Sequence, residues 1–165
     1  RHGDGWLDLL DMLEEEQKDT IISAPAGLGE TLESKVESLT SAMEQLGYEF
    51  VLVWPIGRTY DSLHLLKANL EFLGPLVSKV VVVVNGFFGS PDKFRRWNTS
   101  NLKKELKKNN SFVEVYMPDL HERVIDATSG PFVAADNLKI SGRTELERWL
   151  KKIEPLMEAV GLGES

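Results

Sequence analysis

Apolar residues recur along the chain with two different periods, and these predict alternating helices and strands. In the helical segments they follow i, i+3, i+4 and i+7, which is the spacing of one face of an amphipathic helix. These helical stripes are Trp6–Leu13, Val36–Leu46, Leu63–Leu73, Leu102–Leu106 and Leu146–Met157. Short apolar runs between them predict strands at Thr20–Ser23, Phe50–Trp54, Val80–Val84 and Phe112–Met117. The pattern therefore predicts an order in which helices and strands alternate.

Glycine, proline and capping residues set the expected ends of these elements. Gly47 follows the second helical stripe, and Pro55 is expected to stop the second strand. Thr144 followed three residues later by Glu147 is the spacing of a capping box, which predicts that the last helix begins there. Pro155 is expected to kink or restart that helix, because proline removes a backbone hydrogen bond.

The third predicted strand consists of five consecutive valines, Val80–Val84, a run typical of a strand buried on both faces. The connections between predicted strands are too long for hairpins, which favours right-handed crossovers and a mostly parallel sheet. We therefore expect an α/β fold with a Rossmann-like sheet. In such sheets ligands bind beyond the carboxyl ends of the strands.

Composition places the chain among soluble globular proteins. It has 165 residues, 19 basic and 26 acidic side chains, a net charge of −7 and no cysteine. This length predicts one domain over residues 1–165, or a piece of something larger. The absence of cysteine excludes disulfides and thiolate metal sites, and no apolar run is long enough to predict a membrane span. The expected location is the cytoplasm.

The charge is unevenly distributed along the chain. Residues 1–50 hold twelve acidic and three basic side chains, a balance of −9, so the remainder is slightly positive. Cations concentrate on one predicted helix, near Thr99–Lys108, and just before it. The candidates for contact with DNA phosphates are Arg95, Arg96, Lys103, Lys104, Lys107 and Lys108. The alternative interpretation is a solvated helix face.

Candidate binding residues lie at the expected strand ends. The loop with Pro25, Gly27 and Gly29 follows a predicted strand and opens a helix, where backbone N–H groups can hold an anion. Glu30 stands where a phosphate-binding loop needs lysine, so a plain strand-to-helix turn is the alternative. Asn85 follows the valine run, and its amide can either read a nucleobase edge or cap the following loop. The three histidines lie far apart in the sequence, and we predict no metal site and no catalytic residue.

Four segments together resemble the ParA/MinD-type ATPases, the deviant P-loop family of plasmid partition and mobilisation proteins. Asp19–Glu30 is similar to the Walker B strand and its switch loop, and Val51–Leu63 resembles the next strand with its aspartate-capped helix. Val80–Asn85 resembles the strand that ends in the base-contacting asparagine. Val113–Leu120 resembles the strand that leads to the loop beside the base. Ser23 departs from the family, which has aspartate at this place.

The resemblance implies a three-layer P-loop fold whose first strand, P-loop and first helix would precede Arg1. It implies that Asn85, Met117, Pro118 and Asp119 lie at the base of ATP, and that Pro25, Gly27 and Gly29 respond to the γ-phosphate. The full-length protein would bind ATP and Mg, form a homodimer, and contact nonspecific DNA and a DNA-binding partner protein. Without the P-loop, the chain as given is not expected to hydrolyse ATP.

Three functional hypotheses follow. The first is the carboxyl-terminal part of an ATP-dependent switch in plasmid partition or mobilisation. The second is a non-catalytic Rossmann-like module that works by contacting a partner without nucleotide. The third is a dinucleotide-dependent enzyme that uses the turn from Gly27 to Gly29.

Overall fold

The computed structural model describes residues 5–23, 34–127 and 138–162. Its helices are α1 (Gly5–Glu16), α2 (Val36–Leu46), α3 (Tyr60–Leu73), α4 (Arg95–Thr99), α5 (Asn101–Leu106), α6 (Glu122–Ala127) and α7 (Ile140–Ala159). Its strands are β1 (Phe50–Ile56), β2 (Val77–Asn85) and β3 (Phe112–Met117). The loop with Pro25, Gly27 and Gly29 lies outside the described residues.

Within the described residues, the strands form one parallel sheet in the order β1-β2-β3. The register of β2 and β3 runs from Val80 opposite Phe112 to Asn85 opposite Met117. The expected α/β class with a parallel sheet is therefore confirmed. The strand β1 continues through Pro55, so the expected stop at that residue is wrong. Because β1 lies at an edge of this sheet, it can hold a proline without losing a ladder hydrogen bond.

The valine run is the centre of the core, as its composition predicts. Val80–Val84 are all between 0 and 8% exposed, which requires cover on both faces of the sheet. On one face, Val81 and Val83 pack with Val115 of β3 and with Ala159 of α7. The prediction of a strand buried on both faces is confirmed.

The basic helix predicted near Thr99–Lys108 is present as α5, and a break separates it from a further short helix, α4, that the sequence did not predict. The break falls at Ser100, whose side chain accepts a hydrogen bond from the Lys103 backbone N–H and so caps α5. Trp97 of α4 is 1% exposed. Lys103 of α5 is also buried, at 8% exposed, which corrects its assignment to a solvated or DNA-facing helix surface.

Lys103 is held by an ion pair with Glu114, a residue of β3. The Lys103 Nζ atom lies 2.6 Å from Glu114 Oε2, and the Trp97 indole N–H donates to the same carboxylate oxygen at 2.5 Å. The ammonium also lies 5.4 Å from the centroid of the Trp97 ring. This cluster of Trp97, Lys103 and Glu114 fixes α4 and α5 against the sheet.

Two further sequence predictions are wrong. Thr20–Ser23 is not a strand: Ile21 is 82% exposed, and within the described residues this segment pairs with no strand of the sheet. The helix α7 begins at Ile140 and not at Thr144, whose hydroxyl donates to the Ile140 carbonyl inside the helix. A threonine in a helix interior makes this i−4 bond when it does not cap. The helix continues through Pro155 without restarting there. The short helix α6 has no counterpart in the sequence prediction.

The chain divides into two compact units, which we describe separately. One contains the described residues up to Phe50 together with Ala68–Ser78, and the other contains Val51–Lys67 and the described residues from Lys79 onward. In the first unit α1 packs on α2, and Gly47 ends α2 in the left-handed conformation at φ 73°. The Tyr48 hydroxyl donates to the carbonyl oxygen of Leu13 at 3.0 Å.

Candidate functional site

The carboxyl ends of β2 and β3 bring together the residues that the sequence assigned to a nucleobase. Asn85 is the last residue of β2 and lies opposite Met117, the last residue of β3. Because the strands are parallel, the chain leaves both at the same edge of the sheet. Asn85 and the loop Met117–Asp119 are therefore neighbours. We call this edge, consisting of Asn85–Phe88 and Met117–Asp119, the sheet rim.

Asn85 is fixed at the rim by its own side chain. Its Oδ1 atom accepts a hydrogen bond from the Phe87 backbone N–H at 3.1 Å and so caps a short 3-10 turn, Gly86–Phe88. Of the two roles predicted for the Asn85 amide, capping of the following loop is therefore observed. An amide has separate acceptor and donor ends. Within the described part of the chain, the Nδ2 donor end makes no hydrogen bond and can serve a ligand.

Gly86 lets the two strand ends approach closely. A Cβ atom at this position would lie 2.5 Å from the Met117 carbonyl oxygen and 2.8 Å from the Asp119 backbone nitrogen. It would also lie 2.8 Å from the Tyr116 hydroxyl oxygen. No side chain fits between these atoms, so the rim requires glycine here. Gly86 was not among the sequence candidates, although it directly follows Asn85.

An open cleft of about 510 Å³ adjoins the rim. Its walls carry apolar, acidic and basic groups side by side. It is lined by Phe87, Asp119, Leu120, His121, Glu122, Ile125, Glu145, Arg148, Trp149 and Lys152. The Trp149 indole N–H donates to the Pro118 carbonyl at 2.7 Å, which fixes the rim loop to α7. Phe87 is 69% exposed and meets Phe88 edge to face, with ring centroids 5.2 Å apart.

The end of β1 reaches the same rim. The Gly57 backbone N–H donates to the Ser62 hydroxyl at 3.0 Å, and Arg58 Nη1 lies 3.5 Å from the Phe88 carbonyl oxygen. Among the described residues, this carbonyl is the one hydrogen-bond partner of Arg58. Asp61, the expected cap of the following helix, lies inside the first turn of α3.

The remaining DNA-contact candidates are exposed on α4, α5 and the turn that follows. We call them the basic surface: Arg95, Arg96, Lys104, Lys107 and Lys108. Just before α4, the Ser90 hydroxyl donates to Asp92, and this bond together with the Lys93 ammonium lowers the pKa of the Asp92 carboxyl. Lys93 lies 3.4 Å from that carboxyl, so its charge is locally opposed.

Neither a metal centre nor a membrane span is found in the part of the chain that the structure describes. Among residues 5–23, 34–127 and 138–162, no three histidine, aspartate or glutamate side chains are grouped so as to hold a metal ion. None of the helices there is both long enough and apolar enough to cross a bilayer. His64 stacks on Tyr60 with ring centroids 5.9 Å apart, and His121 lines the rim cleft.

Comparison with known proteins identifies one relative over nearly the whole chain. No protein-family model matches the sequence, and no solved structure matches it. Protein MobD of Acidithiobacillus ferrooxidans is 31% identical over 162 residues, an alignment that covers 95% of this chain and 70% of MobD. Identity at this level, over this share of both chains, establishes common descent. The chain belongs to the same protein family as MobD.

Proposed function

We propose that this protein acts in plasmid mobilisation and that the sheet rim binds the base of a nucleotide. The relationship to MobD supports the mobilisation role. The observation that carries the base site is the register that sets Asn85 opposite Met117, at the edge where parallel sheets bind ligands. The family resemblance suggests ATP with Mg in the full-length protein, a homodimer, and Pro25, Gly27 and Gly29 near the γ-phosphate.

The chemistry of the rim suits a base in three ways. Asn85 offers an amide donor whose direction is fixed by the bond from Phe87 N–H to its oxygen. Asp119 lines the cleft and offers a carboxylate acceptor for an exocyclic amino group. The exposed ring of Phe87 offers a face on which a base can stack. These groups recognise the base and supply no charge for the phosphates.

Replacing Asn85 by aspartate tests the base site. A carboxylate at this position still accepts the hydrogen bond from Phe87 N–H, so the turn is kept while the donor to the base is lost. We expect the affinity for a fluorescent ATP analogue with Mg to fall about tenfold, the value of one good hydrogen bond to a ligand. Fluorescence anisotropy of the purified protein measures the affinity.

Asn109 provides the matched control for this variant. Its Oδ1 accepts a hydrogen bond from the Ser111 backbone N–H at 2.9 Å, so it caps a turn in the same way as Asn85 but away from the rim. Asn109→Asp should bind the analogue as the parent does. Equal affinities for the Asn85→Asp variant and the parent would contradict a base contact by Asn85.

The basic surface is proposed as a contact for nonspecific DNA. Reversal of three of its charges, Lys104→Glu, Lys107→Glu and Lys108→Glu, should weaken binding to duplex DNA and flatten its salt dependence. The slope of log affinity against log salt should fall by about one for each lysine that contacts a phosphate. Lys103 is left unchanged because it is buried against Glu114.

A matched charge-reversal variant, with two substitutions on α7 and one at the residue just before it, controls for the change in net charge. Lys139, Arg143 and Lys151 are also exposed, so their replacement by glutamate changes the total charge equally. We expect this variant to retain DNA affinity and salt slope. If both variants lose DNA binding equally, or if neither does, then the basic surface is not the contact.

The second candidate function is a partner-binding module that needs no nucleotide. The observation that favours it is the exposure of Phe87 and Ile125, 69% and 51%, in one cleft. Exposed apolar groups that share a cleft are typical of protein contacts. If ATP with Mg binds saturably and the Asn85→Asp variant binds it more weakly, the first candidate is favoured. If ATP with Mg does not bind saturably, the second candidate is favoured.

A further inference from the structure

A second groove lies in the first unit, between helices α1 and α2, and has no role in the proposed function. It encloses about 540 Å³. The α1 side is formed by Leu10, Asp11 and Glu14. The α2 side is formed by Glu37, Ser38, Ser41, Ala42, Gln45 and Leu46.

The α2 wall of the groove has the spacing of one helix face. Ser38, Ser41, Ala42 and Gln45 follow i, i+3, i+4 and i+7, so they form one row along the helix. Three of these four side chains are small. Small side chains let a second helix approach closely, since the distance between packed helix axes depends on the side chains at the contact.

The floor of the groove keeps apolar surface in contact with water. Leu10, Ala42 and Leu46 are each only half-buried, while Leu13 and Met43 of the same helices are buried at 4 and 8% exposure. The two helices thus bury their main contact and leave a second apolar strip beside it. A third helix that packs on this strip would bury its apolar surface.

All charges on the groove are of one sign. Asp11, Glu14 and Glu37 are its charged residues, and no lysine, arginine or histidine lines it. Within the described residues, none of these three carboxylates makes an ion pair. They lie in the part of the chain whose balance is −9, from twelve acidic and three basic residues in residues 1–50. The field over the groove therefore attracts cations and repels acidic segments.

We propose that the α1–α2 groove docks a basic amphipathic helix of a partner protein. The apolar face of that helix would cover Leu10, Ala42 and Leu46. Its lysines or arginines would flank this face and meet the three carboxylates. Apolar anchors with charged neighbours are the general form of helix-in-groove recognition. The charge pattern selects this occupant over an apolar or acidic helix.

The test titrates the full chain with a designed helical peptide labelled with fluorescein. The peptide has about 14 residues, long enough to span α2 at about 1.5 Å per residue, with leucines on one face and lysines beside them. A second peptide has glutamate in place of each lysine, and a third has the first peptide's composition in scrambled order. We expect the basic helix to bind saturably and the other two to bind at least about tenfold more weakly.

The groove variant is Asp11→Lys, Glu14→Lys and Glu37→Lys. Its matched control is Glu15→Lys, Glu16→Lys and Glu44→Lys, which places the same charges at exposed positions of the same two helices. We expect the groove variant to weaken peptide binding about tenfold or more while the control changes it less than about threefold, because Asp11, Glu14 and Glu37 line the groove and the control residues do not. Circular dichroism confirms that both variants fold.

A separate variant tests the apolar floor without a change of charge. Ala42→Phe places a bulky ring in the groove, and we expect it to weaken binding of the basic peptide about tenfold. Equal loss in the groove and control variants would mean nonspecific attraction to acidic protein, and would overturn the proposal. Sedimentation of the chain without peptide measures whether it self-associates. If the chain self-associates, does not bind the peptide, and loses self-association only in the groove variant, then the groove binds a second copy of the chain and the proposal is overturned.

Discussion

Replacing Glu114 by alanine should lower the free energy of unfolding by about 2 kcal/mol, less than the loss of one partner from a fully buried ion pair, because the Glu114 side chain is 30% exposed. The carboxylate of Glu114 holds two donors at once. Lys103 Nζ lies 2.6 Å from it and the Trp97 indole N–H donates to it, and both residues are buried. Without Glu114, an ammonium and an indole N–H remain in an apolar setting with fewer partners. Urea denaturation followed by tryptophan fluorescence measures the loss.

Two further variants separate the ion pair from general effects. Glu105→Ala removes an exposed carboxylate from α5 and should change stability by less than about 0.5 kcal/mol. The double variant Lys103→Met with Glu114→Leu removes both charges and keeps similar volumes, so it should recover most of the stability lost in Glu114→Ala. A Glu114→Ala variant as stable as the parent would show that this cluster does not fix α4 and α5 to the sheet.

Gly86→Ala should lower the free energy of unfolding by about 2 kcal/mol and should also abolish nucleotide binding at the rim. The added methyl carbon would be attached directly to the Gly86 Cα and would lie 2.5 Å from the Met117 carbonyl oxygen, a backbone atom at the end of β3. Relief of the clash must separate the two strand ends, a strain comparable to overpacking a core. Because Asn85 and Asp119 flank the contact, their spacing changes with it.

The control for this variant is a second glycine at the same edge. A Cβ atom on Gly57 would meet only the Phe88 ring, at 3.5 Å, which is ordinary van der Waals contact. Gly57→Ala should therefore keep both the parent's stability and its affinity for the fluorescent ATP analogue. If Gly86→Ala behaved like Gly57→Ala in both measurements, the close approach of β2 and β3 would not matter for the rim.

The sequence predicted the parts of the fold that follow from local periodicity. The valine run predicted a strand buried on both faces, and the strands beside it predicted a parallel sheet, so Asn85 and Met117 could be placed at one edge. The turn-capping bond of Asn85 was also foreseen as one of two roles. The buried strand and the turn cap depend on residues within a few positions of one another, and the shared edge follows from the rule that parallel strands end at the same side of a sheet.

Features that depend on distant partners were not predictable. The sequence indicates a solvated cation at Lys103. Its burial depends on Glu114 of β3, which contacts it only in the folded chain. Thr20–Ser23 has the composition of a strand but no strand pairs with it in the described sheet, and a strand requires such a partner. The α1–α2 groove forms only where two helices pack together, so the sequence alone does not bring its carboxylates onto one surface.

Backbone amide chemical shifts, measured by NMR as ATP and Mg are added to the full chain, test the nucleotide site most directly. We expect saturable shifts that concentrate on the rim, at Asn85, Gly86, Phe87, Met117 and Asp119, and that are lost in Asn85→Asp but not in Asn109→Asp. Shifts confined to the basic surface, or no saturable shift at the rim, would contradict the proposal that this edge of the sheet binds a base.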